Sequence, residues 1–305
     1  MPKDMMNTKE VAEYLGIHEK QVYSLIKSGR IPCTRITGKW IFPKHIIDEW
    51  ITSHAQHGTT GTEGKTKTPE GYIMSAGSND PILDILLSYM KQSHPGFYIF
   101  TCSIGSTKGL CMLGERKIDV AWCHLLDPKT GDYNIPYLAD YIQDMKVAVV
   151  HLFYRELGFI LSPQAKLNVT EFSDLTAKGV EFVNRQEGSG TRVLLDYHLQ
   201  RTDIDPHLIN GYERVVHTHF EVGLAVLSGE ANIGIATVAI SNLFGLPFVP
   251  LVRESFDMVL SQETFFLKGL QAFIDTLKTE EFRKIVKPLG NYDFSESGKI
   301  IHSVS

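Results

Sequence analysis

Apolar residues in the first fifty positions recur at helical spacing, pause at glycines, and then change to the alternation of short strands. Val11, Ala12 and Leu15 follow Thr8, which predicts a helix with Thr8 as its N-cap and Gly16 as its stop. Ile17 and His18 turn tightly into a second helix that carries Val22, Leu25 and Ile26 on one face and ends at Gly29. Ile31 to Ile36 and Lys39 to Phe42 are apolar runs around Thr37-Gly38, the pattern of a hairpin, and Pro43 opens a third helix with Ile46, Ile47 and Trp50 at core spacing. Two short helices on a tight turn predict a helix-turn-helix, with the hairpin as its wing. Residues 1–52 are therefore expected to form a winged helix-turn-helix DNA-binding domain.

From Ser53 to Thr68 the apolar periodicity disappears in favour of Gly, Thr and His, so residues 53–69 are expected to be a flexible linker. Gly64-Lys65-Thr66 is like the end of a phosphate-binding loop, but Thr59 stands where the first glycine belongs and no strand precedes it. His54 and His57 read as solvated linker residues. Residues 70–305 alternate strand-like and helix-like runs. Tyr72 to Ser75, Phe97 to Cys102, Ile118 to Trp122, Lys146 to Val150 and Leu157 to Leu161 predict strands, with Tyr154-Arg155-Glu156 between the last two. Helices are expected from Asp80-Pro81 to Tyr89 and from Lys108 to about Gly114. Alternation of this kind predicts an α/β body with a mostly parallel sheet, whose ligand would lie at the carboxyl ends of strands.

Three segments enter helices from strands with small, hydroxyl-bearing residues: Gly77-Ser78-Asn79-Asp80-Pro81, Ser103-Ile104-Gly105-Ser106-Thr107 and Glu187-Gly188-Ser189-Gly190-Thr191-Arg192. Free N–H groups at a helix start and the helix dipole favour an anion there. The candidate ligand residues are Ser78, Asn79, Ser103, Ser106, Thr107, Ser189, Gly190 and Thr191, with Arg155, Arg192, His124 and His219 near the same cleft. His217 and His219 are spaced like a strand pair facing one side, but no third ligand accompanies them and no metal site is expected. Ser189 is no nucleophile elbow, because Glu187 and Thr191 stand where that turn needs glycines, and no catalytic residue is assigned.

Charge adds a modest asymmetry. Met1 to Thr52 carries eight Lys and Arg against six Asp and Glu, or +2, and the remainder 22 against 29, or −7. A head so weakly basic has modest affinity for DNA alone, which predicts a homodimer. On its second helix Lys20, Gln21, Tyr23, Ser24 and Lys27 point outward, with Lys20 and Gln21 as base readers, while Arg35 and Lys39 on the wing would meet phosphates. No stretch reaches the roughly 20 apolar residues of a membrane helix. The four cysteines, Cys33, Cys102, Cys111 and Cys123, have no paired or zinc-like spacing, and no signal-peptide layout opens the chain; a reducing cytoplasm fits. Cys102 falls in a candidate ligand loop, where a buried thiol is the plainer reading.

The head resembles the excisionase-type helix-turn-helix, a relative of MerR-like heads, through its opening TKEVAEYLG, its VYSLIKSGRIP and its GKWIF wing. The body resembles the periplasmic-binding-protein-like domain related to molybdate and tungstate binders through AGSNDPILDILL, SIGSTKGLCML, DVAWCHLLDPKTGDYN, LFYRELGFIL, NRQEGSGTRVLLD and THFEVGLAVLSGEANIGIA. The resemblance implies a two-lobed type II body, with lobe one at 70–157 and 252–305 and lobe two at 158–251, a cleft between them, and molybdate or tungstate as ligand without a cofactor. It implies a one-component, ligand-responsive transcriptional regulator rather than an enzyme. Arg155, Arg192 and His124 depart from binders that hold their oxyanion without a full charge partner, which leaves carboxylate and phosphate ligands open, a pterin-type cofactor precursor among them. A cytoplasmic oxyanion or precursor delivery protein, or an enzyme acting on an anionic small molecule, are the alternatives.

Overall fold

The computed structural model describes residues 5–29, 31–36, 38–55, 71–143, 145–290 and 292–303. They fall into two compact units that divide at Gly64/Lys65. The linker expected at 53–69 lies outside the described residues from residue 56 on, as do His57 and the Gly64-Lys65-Thr66 segment.

In the first unit, α1 (Thr8–Leu15), α2 (Glu19–Lys27) and α3 (Lys44–Ala55) surround a sheet of β1 (Met5–Met6), β2 (Thr34–Ile36) and β3 (Lys39–Pro43) in the order β1-β3-β2. Thr8 is the first helical residue and not the cap. Asn7 caps α1, accepting from Lys9 and Glu10 N–H, while the Glu10 carboxylate accepts from Asn7 N–H, a capping box that an Asn so near the start concealed. Pro43 ends β3 rather than opening α3. The tiny core consists of Met6, Val11, Ala12, Val22, Ile31, Phe42 and Ile47, with Leu15, Leu25, Ile26 and Trp40 packed on it.

In the second unit the strands are β4 (Tyr72–Gly77), β5 (Tyr98–Ser103), β6 (Val120–Cys123), β7 (Val147–Leu161), β8 (Phe182–Arg185), β9 (Val215–Val216), β10 (Ile233–Thr237), β11 (Phe248–Ser261) and β12 (Ile300–Ser303). The helices are α4 (Pro81–Ser93), α5 (Ser106–Gly114), α6 (Leu138–Tyr141), α7 (Gly190–Arg201), α8 (His219–Ser228), α9 (Val238–Phe244), α10 (Gln262–Phe265), α11 (Lys268–Lys278) and α12 (Glu280–Val286). The sheet order is β5-β4-β6-β11-β7-β10-β8-β9, with β12 added on β7. Parallel pairs, β4 with β5 and β6 and β8 with β9 and β10, occupy its two ends; the joining strands are antiparallel, so the sheet is mixed.

The two strands expected around Tyr154-Arg155-Glu156 are one continuous strand, because β11 pairs with β7 from Ser261↔Val147 through Glu254↔Arg155 to Phe248↔Ile160. One half of this long pair, with Val150, Leu152, Phe153, Phe256, Met258 and Leu260, packs into a core with α4, α11 and α12. The other half, with Leu157, Phe159 and Leu161, packs into a separate core with Phe182, Leu194 and Leu195. Between the two cores the strands are polar: Arg155 and Glu254 stand opposite one another, each about 2% exposed or less. Burying charge there is tolerable only with partners, so this waist is where chemistry is concentrated.

Candidate anion cradle

The three Gly-Ser segments converge, but their hydroxyls are spent mainly on holding one another. Ser78 Oγ and Ser106 Oγ are 2.9 Å apart, and Ser106 Oγ also accepts from the His124 N–H at 3.3 Å. Thr107 donates to the Gly188 carbonyl at 3.0 Å, stitching the α5 start to the α7 start, and Ser189 caps α7 by accepting from Arg192 N–H at 3.2 Å. A Cβ on Gly190 would lie 2.5 Å from the His124 carbonyl oxygen and 2.6 Å from its ring, so only glycine lets these segments close together. Ser103, half-buried at the end of β5, is placed beside Gly77 in the ladder rather than in this seam.

The groups with unused hydrogen-bonding capacity are others. Among the described residues, Asn79 Oδ1, His124 Nε2, His151 Nε2, one terminal nitrogen of Arg155, Nε and one terminal nitrogen of Arg185, Gln186 Nε2, Thr191 Oγ1, both ring nitrogens of His219 and Thr237 Oγ1 are buried without a hydrogen-bond partner. Buried polar groups are ordinarily satisfied, so a set that is not marks a place built for something else to bond. Of these, His124, His219 and Arg155 come together at the waist. His124 and His219 have ring centroids 6.2 Å apart, His124 stacks on Phe256, and the Arg155 guanidinium lies 4.7 Å over that same phenyl ring.

Arg155 is largely compensated by its own protein: Nε donates to Glu254 at 3.0 Å and a terminal nitrogen to Asp80 at 2.7 Å. Glu254 offers its other oxygen to His124 Nδ1 at 2.9 Å, and Asp80 also accepts from Tyr292 and caps α4. Among the described residues no carboxylate hydrogen-bonds Arg185; its one bond there is a donation to the His217 carbonyl at 2.9 Å, while Glu221 and Glu254 favour its charge from farther off. Burial, and then the charge of Arg155, push its guanidinium down to about 9, so it stays charged at neutral pH. Burial pushes His219 well below the ordinary imidazole value, and Arg185, Arg155 and His124 push it further. Burial also lowers His124, by more than Glu254 raises it. Glu254 is pulled upward by burial but held below the usual carboxylate range by His124 and Arg155. Burial thus keeps both imidazoles neutral at neutral pH, and of the two guanidiniums Arg185 is the one that no carboxylate hydrogen-bonds among the described residues.

Two expectations are corrected. Arg192 does not join the cluster: its Nε donates to both oxygens of Asp196 at 2.8 and 2.9 Å, its guanidinium lies 4.1 Å over Tyr212, and it lines an open groove of about 710 Å³ with Thr107, Lys108 and Glu187. His217 and His219 are not a strand pair. Thr218 caps α8 in a box with Glu221, which leaves His217 exposed against Gln186 and buries His219 in the first turn. Arg185 and Glu254 are absent from the residues the sequence singles out: Arg185 follows Asn184 at the end of β8, and Glu254 stands between Arg253 and Ser255 in a polar stretch of β11, so neither is marked by its neighbours.

On the head, Lys20, Gln21, Tyr23, Ser24, Lys27, Arg35 and Lys39 are all exposed, but the Gln21 carbonyl is tied to the start of α2 by accepting from His18 N–H at 3.0 Å. Arg35 lies 5.5 Å over Trp40 and donates to the Gly38 carbonyl, which stiffens the wing. Among the described residues, no group of three or more His, Cys, Asp or Glu is placed to hold a metal, and no helix is long and apolar enough to cross a membrane.

Residues 87–278 match the family model described as a PBP superfamily domain. The chain belongs to the PBP superfamily. In front of this PBP-like domain, residues 5–55 match a helix-turn-helix domain model. The chain is 26% identical over 300 residues to the Uncharacterized protein YvgK of Bacillus subtilis, covering 96% of each. Its PBP fold is like that of a putative phosphate ABC transporter substrate-binding protein with bound phosphate from Clostridium perfringens, with a TM-score of 0.53 at 16% identity, covering 75% of this chain and 99% of that one. It is also like PhnD1 from Prochlorococcus marinus in complex with methylphosphonate, with a TM-score of 0.50 at 15% identity, covering 75% and 93%.

Proposed function

We propose that this protein is a one-component, ligand-responsive transcriptional regulator that binds DNA through its helix-turn-helix head and a small oxyanion in the cradle at the waist of its PBP body. The observation that carries the ligand half is Arg185, a buried guanidinium that no carboxylate hydrogen-bonds among the described residues, with two of its own nitrogens unpartnered and with Arg155 and His219 within electrostatic reach. Such a cation costs stability unless an anion completes it. The ligand class is a small tetrahedral oxyanion. Molybdate and tungstate come from the sequence resemblance, and phosphate and methylphosphonate from the bound states named for two proteins of like fold. We read the chain as a homodimer, because a head of +2 formal charge binds DNA usefully only in pairs, and, from the family resemblance, as a cytoplasmic protein that binds its ligand without a cofactor and without catalysis.

An oxyanion that bonds both halves of the cradle stabilises the closed arrangement, and only that difference in affinity can change the protein's grip on DNA. The purified protein should show a thermal midpoint that climbs with oxyanion concentration by mass action. It should also shift DNA from its own upstream region at low salt, with a midpoint that moves when the oxyanion is added. If DNA binds but its midpoint ignores a ligand that demonstrably raises the thermal midpoint, the regulatory reading fails and a delivery protein is left.

A further inference from the structure

Helix α8 is apolar on every side. Val222, Ala225 and Val226 are buried with Ile160, Ala236 and Ile240, as an inward face should be, yet Phe220, Leu224 and Leu227 are 47 to 55% exposed. At roughly 100° per residue these three fall on one stripe, opposite the buried face. The helix cannot roll to hide them, because a Cβ on Gly223 would come within 2.5 Å of Ile240 and Phe244, so α8 is seated closely on α9. The end of α9 extends the patch: Leu243 is also half-exposed, and the adjoining Phe244 ring lies 5.1 Å from that of Phe220. A surface helix is ordinarily apolar on one face and polar on the other, whereas one that is apolar all round is written for burial on both. Among the described residues nothing packs over the outward stripe.

We infer that this outward face of α8 docks a second copy of the chain, α8 against α8 across a two-fold axis beside Leu224. This rests on the reading that the heads bind DNA in pairs. Area supports it: four half-exposed apolar side chains offer roughly 400 Å² per copy, about half of the ~800 Å² that each partner buries in a stable interface, which suits an apolar centre inside a polar rim. Charge supports it as well. Glu221 is the charged residue of α8, and its carboxylate is turned back to accept from the His217 and Thr218 N–H groups, so the stripe itself is uncharged. A surface that pairs with itself needs this, because a charge on the axis would meet its own like. Spacing then selects the direction. Phe220 and Leu227 flank Leu224 by about one turn on either side, so in an antiparallel pair Phe220 of each copy meets Leu227 of the other. Exposed His217 before the helix and exposed Glu230 after it fall opposite one another in that arrangement, with the helix dipoles opposed.

The test is sedimentation equilibrium of the full chain across roughly 0.1–100 µM, for the wild type and for single charges placed on the axis. The wild type should dimerise within this range. Leu224→Glu and Leu224→Arg should each raise the dimer dissociation constant about a hundredfold or more, because identical charges then face one another with apolar groups around them. An equimolar mixture of the two variants should dimerise again, which a chain that had merely failed to fold could not do. Phe266→Glu, a charge on a more exposed apolar side chain beyond the end of α10, should leave the dimer as it was. A wild-type dimer that survives Leu224→Glu, or that Phe266→Glu weakens as much, would overturn this surface while leaving the paired heads standing. Two monomeric variants whose mixture stays monomeric would overturn the axis at Leu224. A wild type that is monomeric throughout would overturn the paired reading itself, and this surface with it.

Discussion

Arg185 and Asp257 sit equally deep yet invite opposite expectations. Asp257 is fully enclosed and fully used, accepting from Asn134 at 2.6 Å and Ser255 at 2.7 Å and pairing with His151 at 2.8 Å. Asp257→Ala strands those partners and should cost roughly 3–5 kcal/mol, read as a lower denaturation midpoint. Arg185→Met removes a buried cation with one backbone bond, so thermal stability of the ligand-free protein should hold or rise, while oxyanion affinity falls about a hundredfold. A matching loss of stability would mark Arg185 as structural. At this scale the sequence was half legible. Hydroxyl and glycine positions announced the loops, but which of them are consumed as stitches depends on contacts such as Thr107 to Gly188, 81 positions apart. The residues left over, Arg185 and Glu254, are visible only once the waist is known to be buried.

Among elements, the start of α7 is the closing face. Gly190→Ala puts a methyl group against His124 and should hold the two sides of the seam apart, weakening oxyanion binding by tenfold or more with little loss of DNA affinity in the ligand-free protein. Titrations of both ligands on the variant check this, and an unchanged oxyanion affinity would remove α7 from the site. On the head, Lys39→Ala should weaken binding to all DNA sequences alike and lower the slope of log affinity against log salt by about one, whereas Lys20→Ala should blunt preference between sequences. A Lys20→Ala protein with undiminished preference would move base reading elsewhere on α2. Local periodicity sufficed for α1, α2 and the wing because their signals lie within one turn or one hairpin. It failed for β1, two residues long and recognisable only by its pairing with Phe42 and Pro43, and for β7, whose polar middle looks like a break until β11 lies beside it.

For the whole molecule, the depressed imidazoles fix the sign of the response to acid. His124 and His219 bind fewer protons folded than unfolded, so stability should fall as pH drops through their ordinary value of 6.5. Glu254 stabilises the fold above its ordinary 4.5, and that contribution is lost as pH falls further through its lowered folded value. Thermal midpoints across this range should therefore decline in two stages, and saturating phosphate should flatten the first. A midpoint that is level from pH 7 to about pH 5 would show that neither ring is held neutral.

The long strand pair also sets a timetable. β6 ends at Cys123, and its ladder neighbour β11 begins only at Phe248, so the early sheet waits on the order of ten seconds of synthesis for the strand that completes it. The head is finished once Ala55 has emerged. A ribosome stalled in between carries a folded helix-turn-helix head with an unfinished PBP-like body behind it. Nascent chains arrested before Phe248 should accordingly lose everything but the head to protease, and chains released after Ser303 should not.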